Sequence, residues 1–161
     1  MSCGTISTQG SGAISAGYDP WRRNQLRKGK GICMKKCITQ SKGFFNPAGA
    51  YSPAVMAEGK FVFVSGQGPS DPLTGKVVRG TLEEQFELTM KNIEAHLAAA
   101  GTTLANVVQC RVYLSNTDRH HWERMNVVYQ KWFPDQKPAR TTIGCQLMEI
   151  DVEIDVVAVV E

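Results

Sequence analysis

The sequence predicts an α/β fold in which two helices cover one face of a mixed β-sheet. Two stretches, residues 81–100 and 118–133, repeat their apolar residues at the three- and four-residue spacing of amphipathic helices. Short apolar or alternating stretches flank both of them. The predicted order is therefore strand, helix, strand, helix, strand, strand, which is typical of a layer of helices packed on a sheet.

The first helix has a clear beginning and a clear end. Thr81 and Glu84 match a capping box, in which the two side chains satisfy two amide groups that the first turn leaves unpaired. Gly101 suits the left-handed position just after the last turn. The apolar residues that we expect to face the core are Leu82, Phe86, Met90, Ile93 and Leu97.

The second helix and the strands follow from equally local signals. Asp118 is a suitable cap for the second helix, Pro134 ends it, and its buried side is predicted to carry Met125, Val128, Tyr129 and Trp132. The apolar run at 61–64 predicts a buried strand. The other predicted strands are 107–114, which alternates apolar and polar residues, 139–147 and 150–160.

Charge separates the N-terminal segment from the remainder. Residues 1–43 carry eight Lys and Arg against one Asp, a net charge of +7, whereas the rest carries ten basic and fourteen acidic residues, a net charge of −4. The first segment also lacks any sustained period, so we predict a disordered or loosely packed basic extension over 1–43 and one globular domain over 44–161. A transit peptide, a true start at Met34 and a functional basic arm are all consistent with this extension.

Composition disfavours several classes of protein. No run of about 18 apolar residues suggests a membrane span, and the first residues do not resemble a secretory signal. We expect a cytoplasmic protein without membrane partners, or a mitochondrial one if 1–43 is a transit peptide. The acidic remainder makes nucleic acid an unexpected partner. Five cysteines, an odd number, argue against a disulfide framework.

Arg140 is the first candidate for chemistry. It lies in a predicted strand directly after Pro138 and Ala139, and its planar guanidinium can grip a carboxylate through two parallel hydrogen bonds. Judged from the residues alone, a structural ion pair with the acidic last strand is the slightly better interpretation. In that strand Asp151, Glu153 and Asp155 share one face, and the pattern alone favours a solvent-facing edge for them.

Signals for metal or phosphate binding are weak. His120 and His121 are adjacent, so on a helix they point about 100° apart and cannot bind one metal together. Gly66, Gln67 and Gly68 are followed by Pro69 and do not open a helix as a dinucleotide-binding loop does. We therefore expect no cofactor and no metal.

Five short motifs occur together in one order. They are Tyr51–Val55 (YSPAV), Phe61–Gln67 (FVFVSGQ), Asn126–Tyr129 (NVVY), Pro138–Thr142 (PARTT) and Val152–Asp155 (VEID). In this order and spacing the chain resembles the RidA/YjgF family over about residues 46–160. The resemblance implies a chorismate-mutase-like α/β fold and a homotrimer whose ligand clefts lie between subunits.

The resemblance also implies a reaction. Members of the family hydrolyse reactive 2-imino acids and their enamine tautomers, such as 2-iminobutanoate and 2-aminoacrylate, to 2-keto acids and ammonia, without a cofactor. Two alternatives stay open at this point: a non-catalytic regulatory protein that binds a small ligand, and an RNA-binding or endoribonuclease-type member of the same family. The preferred side chain of the imino acid and the metabolic pathway do not follow from the sequence.

Roles for individual residues follow from the same resemblance. It implies that Arg140 binds the substrate carboxylate, that the backbone amide of Thr142 assists it, and that Glu153 orients water. The connection between Arg140 and Glu153 is shorter than in many members, which leaves Asp155 as the alternative carboxylate. The residues implied to line the cleft are Tyr51, Ser65, Gly66 and Asn126.

Overall fold

The structure is a computed structural model that describes residues 34–39 and 47–160. From the third strand onward the predicted order of elements is confirmed. A short 3₁₀ turn at Leu104–Asn106 precedes the fourth strand. The elements are β1 (Met34–Ile38), β2 (Ala54–Glu58), β3 (Lys60–Gln67), α1 (Leu82–Ala99), β4 (Val107–Leu114), α2 (Arg119–Trp132), β5 (Ala139–Gly144) and β6 (Val152–Val160).

Four strands form the main sheet, in the order β3, β6, β4, β5. Strands β4 and β5 run parallel, whereas β6 is antiparallel to both of its neighbours, so the sheet is mixed. This arrangement confirms the predicted fold class. It also places β6 inside the sheet, so the interpretation of the acidic last strand as a solvent-facing edge was wrong.

One face of the sheet carries the core. Alternate residues of β6, among them Val152, Ile154 and Val156, are buried on the face that the helices cover. All five residues of the predicted stripe of α1 are at most 2% exposed. On α2, Met125, Val128 and Tyr129 are buried as predicted, and Trp132 is partly buried against the core.

The opposite face of the sheet, the open face, which no helix covers, is apolar along β3. Phe61 and Phe63 are 45% and 75% exposed, whereas Val64 is buried and Val62 packs, partly buried, against the core. The prediction of a buried strand is therefore correct for the face with Val62 and Val64 and wrong for Phe61 and Phe63. Phe61 and Phe63 pair with Val159 and Val157 on the face that no helix covers, and β3 borders the sheet.

The caps form as predicted. The Glu84 amide donates to Thr81 Oγ1 at 3.3 Å, and the Thr81 amide donates to Glu84 Oε2 at 2.8 Å. Gly101 has a φ of +78°, the left-handed conformation that glycine adopts without strain. Asp118 caps α2 by accepting a hydrogen bond from the His121 amide at 2.7 Å.

Strand β1 lies within the segment that we predicted to be loosely packed, and for Met34–Ile38 that prediction was wrong. This strand pairs with β2, and Lys35 Nζ donates to the carbonyl oxygens of Ala105 and Gln136 at 3.0 and 2.9 Å. Since β2 begins sixteen residues after β1 ends, no local pattern indicated the pairing. Residues 1–33 and 40–43 of the predicted extension lie outside the described residues.

Neither α1 nor α2, nor any other helix in the described part of the chain, is long and apolar enough to cross a membrane.

We expect strand β1, but not the residues before it, to stabilise the domain. A chain that begins at Met34 should unfold at the same urea concentration as the full chain. A chain that begins at Pro47 should lose roughly 2–4 kcal/mol of unfolding free energy, because it lacks the β1–β2 hydrogen bonds and the Lys35 contacts, at about 1 kcal/mol each. Equal midpoints for both truncated chains would contradict the role of β1. Instability of the longer one would contradict our domain boundary.

Candidate functional site

Arg140 lies on the edge strand of the sheet, on the face that the helices cover. In the parallel pairing of β4 with β5 it is opposite Cys110, which in turn is opposite Val156 of β6. Residues opposite one another on neighbouring strands point to the same face. The Arg140 side chain therefore extends beneath α2 rather than away from it.

The guanidinium is held from several sides. Arg140 Nη1 donates to Asn126 Oδ1 at 2.8 Å and approaches Met125 Sδ at 3.9 Å. The guanidinium carbon lies 4.6 Å from the centre of the Tyr129 ring and 5.4 Å from that of Tyr51, distances at which an aromatic face attracts a cation. These contacts give the guanidinium one defined position.

The neighbours of Arg140 are themselves fixed. Asn126 Nδ2 donates to the carbonyl oxygen of Trp122 at 2.9 Å, which turns Oδ1 toward the arginine. The Ser52 amide donates to the Pro138 oxygen at 3.0 Å, and Ser52 Oγ donates to the Lys137 oxygen at 2.6 Å. The chain around Tyr51 is thereby anchored beside the beginning of β5.

No carboxylate within residues 34–39 and 47–160 forms an ion pair with Arg140. The alternative that paired it with the acidic last strand is not what the structure shows, because β4 separates β5 from β6. Burial lowers the pKa of the Arg140 guanidinium from its usual value, although an arginine remains charged at neutral pH. A partly desolvated cation without a counter-ion among the described residues is unfavourable, so this position favours the binding of an anion.

Glu153 belongs to a second group of residues, on the open face. The register of β3 against β6 shifts between Val64 and Gln67, which places Ser65 and Gly66 in a β-bulge. A Cβ atom at Gly66 would collide with the Glu153 carboxylate, so glycine lets this carboxylate lie against the bulge. The bulge thus brings Ser65, Gly66 and Glu153 together.

The Asp155 carboxylate already accepts hydrogen bonds from other residues of the chain, unlike the Glu153 carboxylate. It accepts hydrogen bonds from Arg111 Nε at 2.8 Å and from the Tyr113 hydroxyl at 3.1 Å, and it is 8% exposed. Glu153 makes no hydrogen bond or ion pair with any described residue. Glu153 is therefore the carboxylate of β6 that is available to orient a ligand or a water molecule.

The candidate residues thus form two groups on opposite faces of the sheet. The arginine group and the glutamate group do not meet within one chain, since Glu153 pairs with Tyr113 on the open face. In the arginine group, Thr142 follows Arg140 on the covered face, and its buried hydroxyl has no hydrogen-bond partner in the described chain. The arginine group is Tyr51, Asn126, Arg140 and Thr142; the glutamate group is Ser65, Gly66 and Glu153.

Two contributors were not identified from the sequence as site residues. Tyr129 was assigned to the core by its helical spacing, and its ring indeed lies in the core while also facing Arg140. Gly49 approaches the arginine through its backbone, and only its position just before the Tyr51 motif could have indicated this. No cluster of three or more potential metal ligands occurs among the residues that the structure describes.

Comparisons with known proteins agree on one family. The family model described as Endoribonuclease L-PSP matches residues 42–160. A RutC family protein of Pyrococcus horikoshii is 40% identical over 113 residues, which are 70% of this chain and 87% of that protein. The mitochondrial protein MMF1 of Saccharomyces cerevisiae is 37% identical over 114 residues, 70% of this chain and 76% of the yeast protein.

A solved structure shows the same fold. It is a Rid-family protein of unknown function from Yersinia pestis, superimposed with a TM-score of 0.70 over 78% of this chain and 98% of that one. At 24% identity this likeness concerns the fold alone.

Replacing Arg140 by methionine tests whether the arginine serves stability. We expect Arg140→Met to leave the free energy of unfolding within about 1 kcal/mol of the original value or to raise it, because an apolar side chain of similar length removes a partly buried charge that has no counter-ion among the described residues. Urea unfolding of both chains measures the difference. A loss of 3 kcal/mol or more, on the scale of a broken buried ion pair, would mean that Arg140 has a structural partner.

Proposed function

The chain belongs to the Endoribonuclease L-PSP family, also called RidA/YjgF, and from this premise we propose that it is a hydrolytic deaminase of 2-imino acids and their enamine tautomers. The products are 2-keto acids and ammonia. Examples of the substrates are 2-iminobutanoate and 2-aminoacrylate. The reaction needs no cofactor, since the carbon of an imine is already electrophilic.

The observation that carries the proposal is the uncompensated Arg140. Its guanidinium is desolvated, held by Asn126 and two tyrosine rings, and lacks a carboxylate among the described residues. A 2-imino acid presents a planar carboxylate next to the reacting carbon. Binding that carboxylate to a fixed guanidinium positions the imine carbon, and positioning of this kind supplies much of the acceleration for an already reactive substrate.

The chemical step requires one water molecule. Water adds to the imine carbon, the C–N bond of the resulting carbinolamine breaks, and ammonia leaves as the carbonyl forms. Glu153 is proposed to orient this water, to accept one of its protons as the C–O bond forms, and to pass this proton, and later the hydroxyl proton of the carbinolamine, to the nitrogen, so that ammonia leaves and the carboxylate is regenerated. The backbone amide of Thr142 is proposed to assist Arg140 at the carboxylate, while Tyr51, Ser65, Gly66 and Asn126 line the cleft.

A complete site requires two copies of the chain. The arginine group and the glutamate group lie on opposite faces of one sheet, so a cleft that contains both has to join the arginine group of one copy to the glutamate group of another. Contacts between two different surfaces of identical chains close into a ring when the rotation permits. The open apolar face around Phe61 and Phe63 offers the surface to be covered. We therefore propose a homotrimer with a site at each junction.

The two alternatives predict different behaviour. A regulatory binding protein would bind a carboxylate at Arg140 without releasing ammonia. An endoribonuclease would cleave RNA, which is the activity that the description of the matching family model names. The acidic charge of residues 44–161 disfavours RNA as the ligand. Location in the cytoplasm, or in mitochondria as the name of the yeast relative states for that protein, also remains a proposal.

Ammonia release from an imino acid generated in the assay tests the activity and separates the roles of the two carboxylates. Arg140→Ala and Arg140→Lys should both lose roughly 30- to 1000-fold in kcat/KM, because an ammonium cannot make the paired planar contact. Glu153→Gln should lose activity while keeping its stability. Asp155→Asn should chiefly lower the melting temperature, because it loosens the contacts with Arg111 and Tyr113. Normal turnover by folded Arg140→Ala would contradict the proposed role of the arginine.

Mixing two inactive variants tests the shared site. If each cleft takes Arg140 from one copy and Glu153 from the next, random trimers of Arg140→Ala and Glu153→Gln chains contain about a quarter of intact clefts. Denaturing and refolding the two variants together should recover about a quarter of the original activity, whereas each variant refolded alone should stay inactive. Light scattering should give the mass of three chains. A stable monomer, or no recovery from a confirmed mixed trimer, would contradict a site between subunits.

A further inference from the structure

Gly49 borders the candidate site, and any side chain at this position would extend into it. A Cβ atom built on Gly49 would lie 2.9 Å from Arg140 Nη2, 3.2 Å from Asn126 Oδ1 and 3.4 Å from Trp122 Cζ2. The first two atoms belong to the residues that hydrogen-bond to each other at 2.8 Å through Arg140 Nη1. A methyl group at position 49 would therefore press against this hydrogen-bonded pair.

The backbone conformation at residue 49 does not require a glycine. The described glycines with positive φ are Gly59, Gly75 and Gly101, and Gly49 is not among them. An alanine could adopt the backbone of residue 49 without strain. What the position requires is the absence of a Cβ atom rather than conformational freedom.

We propose that Gly49 is a positioning residue that sets the place of the Arg140 guanidinium and so determines how tightly the site binds a carboxylate. This inference rests on the proposed function of Arg140. Asn126 holds the guanidinium at Nη1, the Tyr51 and Tyr129 rings flank it, and the bare backbone at Gly49 borders it at Nη2. A side chain at 49 shifts the guanidinium away from that border and separates it from Asn126.

The three atoms nearest to a Cβ atom at position 49 are side-chain atoms, so we expect the effect of a side chain there to be confined to the site. All three are at the ends of side chains, and none belongs to the backbone. The guanidinium can move by a few tenths of an ångström without disturbing β5, because its attachment to the strand is a flexible chain of methylene groups. Gly49→Ala therefore changes the geometry of the site more than the stability of the fold.

Steady-state kinetics with a matched glycine variant tests the proposal. Gly49→Ala should lower kcat/KM roughly 10- to 100-fold, mostly by raising KM, since small displacements of a positioning group have effects of this size. Gly80→Ala is the control. A Cβ atom there would lie 2.7 Å from Glu84 Oε2, an equally crowded contact with the end of a side chain at the start of α1. The control should keep its kcat and KM. Original kinetics in Gly49→Ala would overturn the inference.

A double-mutant cycle shows whether Gly49 acts through Arg140. In the Arg140→Lys background, which lacks the Nη2 atom, Gly49→Ala should lower the remaining kcat/KM by no more than about twofold, because residues that act through one contact are not additive. A further loss as large as in the original chain would overturn the inference, since the alanine would then act by another route.

One measurement remains informative if the original chain lacks deaminase activity. The side-chain Nε–H resonance of Arg140, identified by its loss in Arg140→Lys, reports the surroundings of the guanidinium in the absence of any substrate. It should shift in Gly49→Ala and stay in place in Gly80→Ala. An unshifted resonance overturns the positioning role. A shifted resonance in a chain without activity supports that role and rejects the deaminase proposal alone.

Discussion

A partly buried cation with no counter-ion among the described residues is the constraint on which the architecture of the site depends. Desolvating a guanidinium is unfavourable unless hydrogen bonds and aromatic faces compensate it, and here the compensation comes from Asn126, Tyr129 and Tyr51. Each partner is held by another part of the chain: Asn126 by the carbonyl of Trp122, Tyr129 by the core, and Tyr51 by the anchored segment beside β5. The fold supports Arg140 from all of these directions, while none of the described residues offers it a carboxylate.

The alternation of side chains along a strand determines on which face of the sheet each group of candidate residues lies. Because neighbouring strands carry residues of the same face opposite one another, the pairing Arg140–Cys110–Val156 lies on the covered face and the pairing Glu153–Tyr113 on the open one. No adjustment of loops within one chain can bring Arg140 and Glu153 into the same cleft. A function that needs both residues therefore needs an assembly, and the exposed apolar side chains of β3 make assembly favourable as well.

Local signals in the sequence were sufficient for most of the fold, and distant contacts were not. The capping box at Thr81, the cap at Asp118 and the stripe of α1 depend on residues within one or two turns, so they could be predicted. Strand β1 depends on β2 and on Lys35 reaching Ala105 and Gln136. The exposure of Phe63 depends on which strands border the sheet. For the site, the family motifs supplied Arg140 and Glu153, whereas the contacts of Tyr129 and Gly49 with Arg140 depend on three-dimensional positions that the sequence does not give.

Glu153 and Asp155 show how position within one strand decides the role of chemically similar residues. Both are carboxylates on the open face of β6, two residues apart, and the sequence alone did not decide between them. Asp155 lies opposite Arg111 and also accepts a hydrogen bond from Tyr113, so its charge is compensated inside the chain. Glu153 lies beside a β-bulge whose glycine leaves space for its carboxylate, and it has no such partner. Glu153 on the open face and Arg140 on the covered face thus each lack an oppositely charged partner among the described residues. An assembly that brings the two surfaces together would place these opposite charges at one cleft.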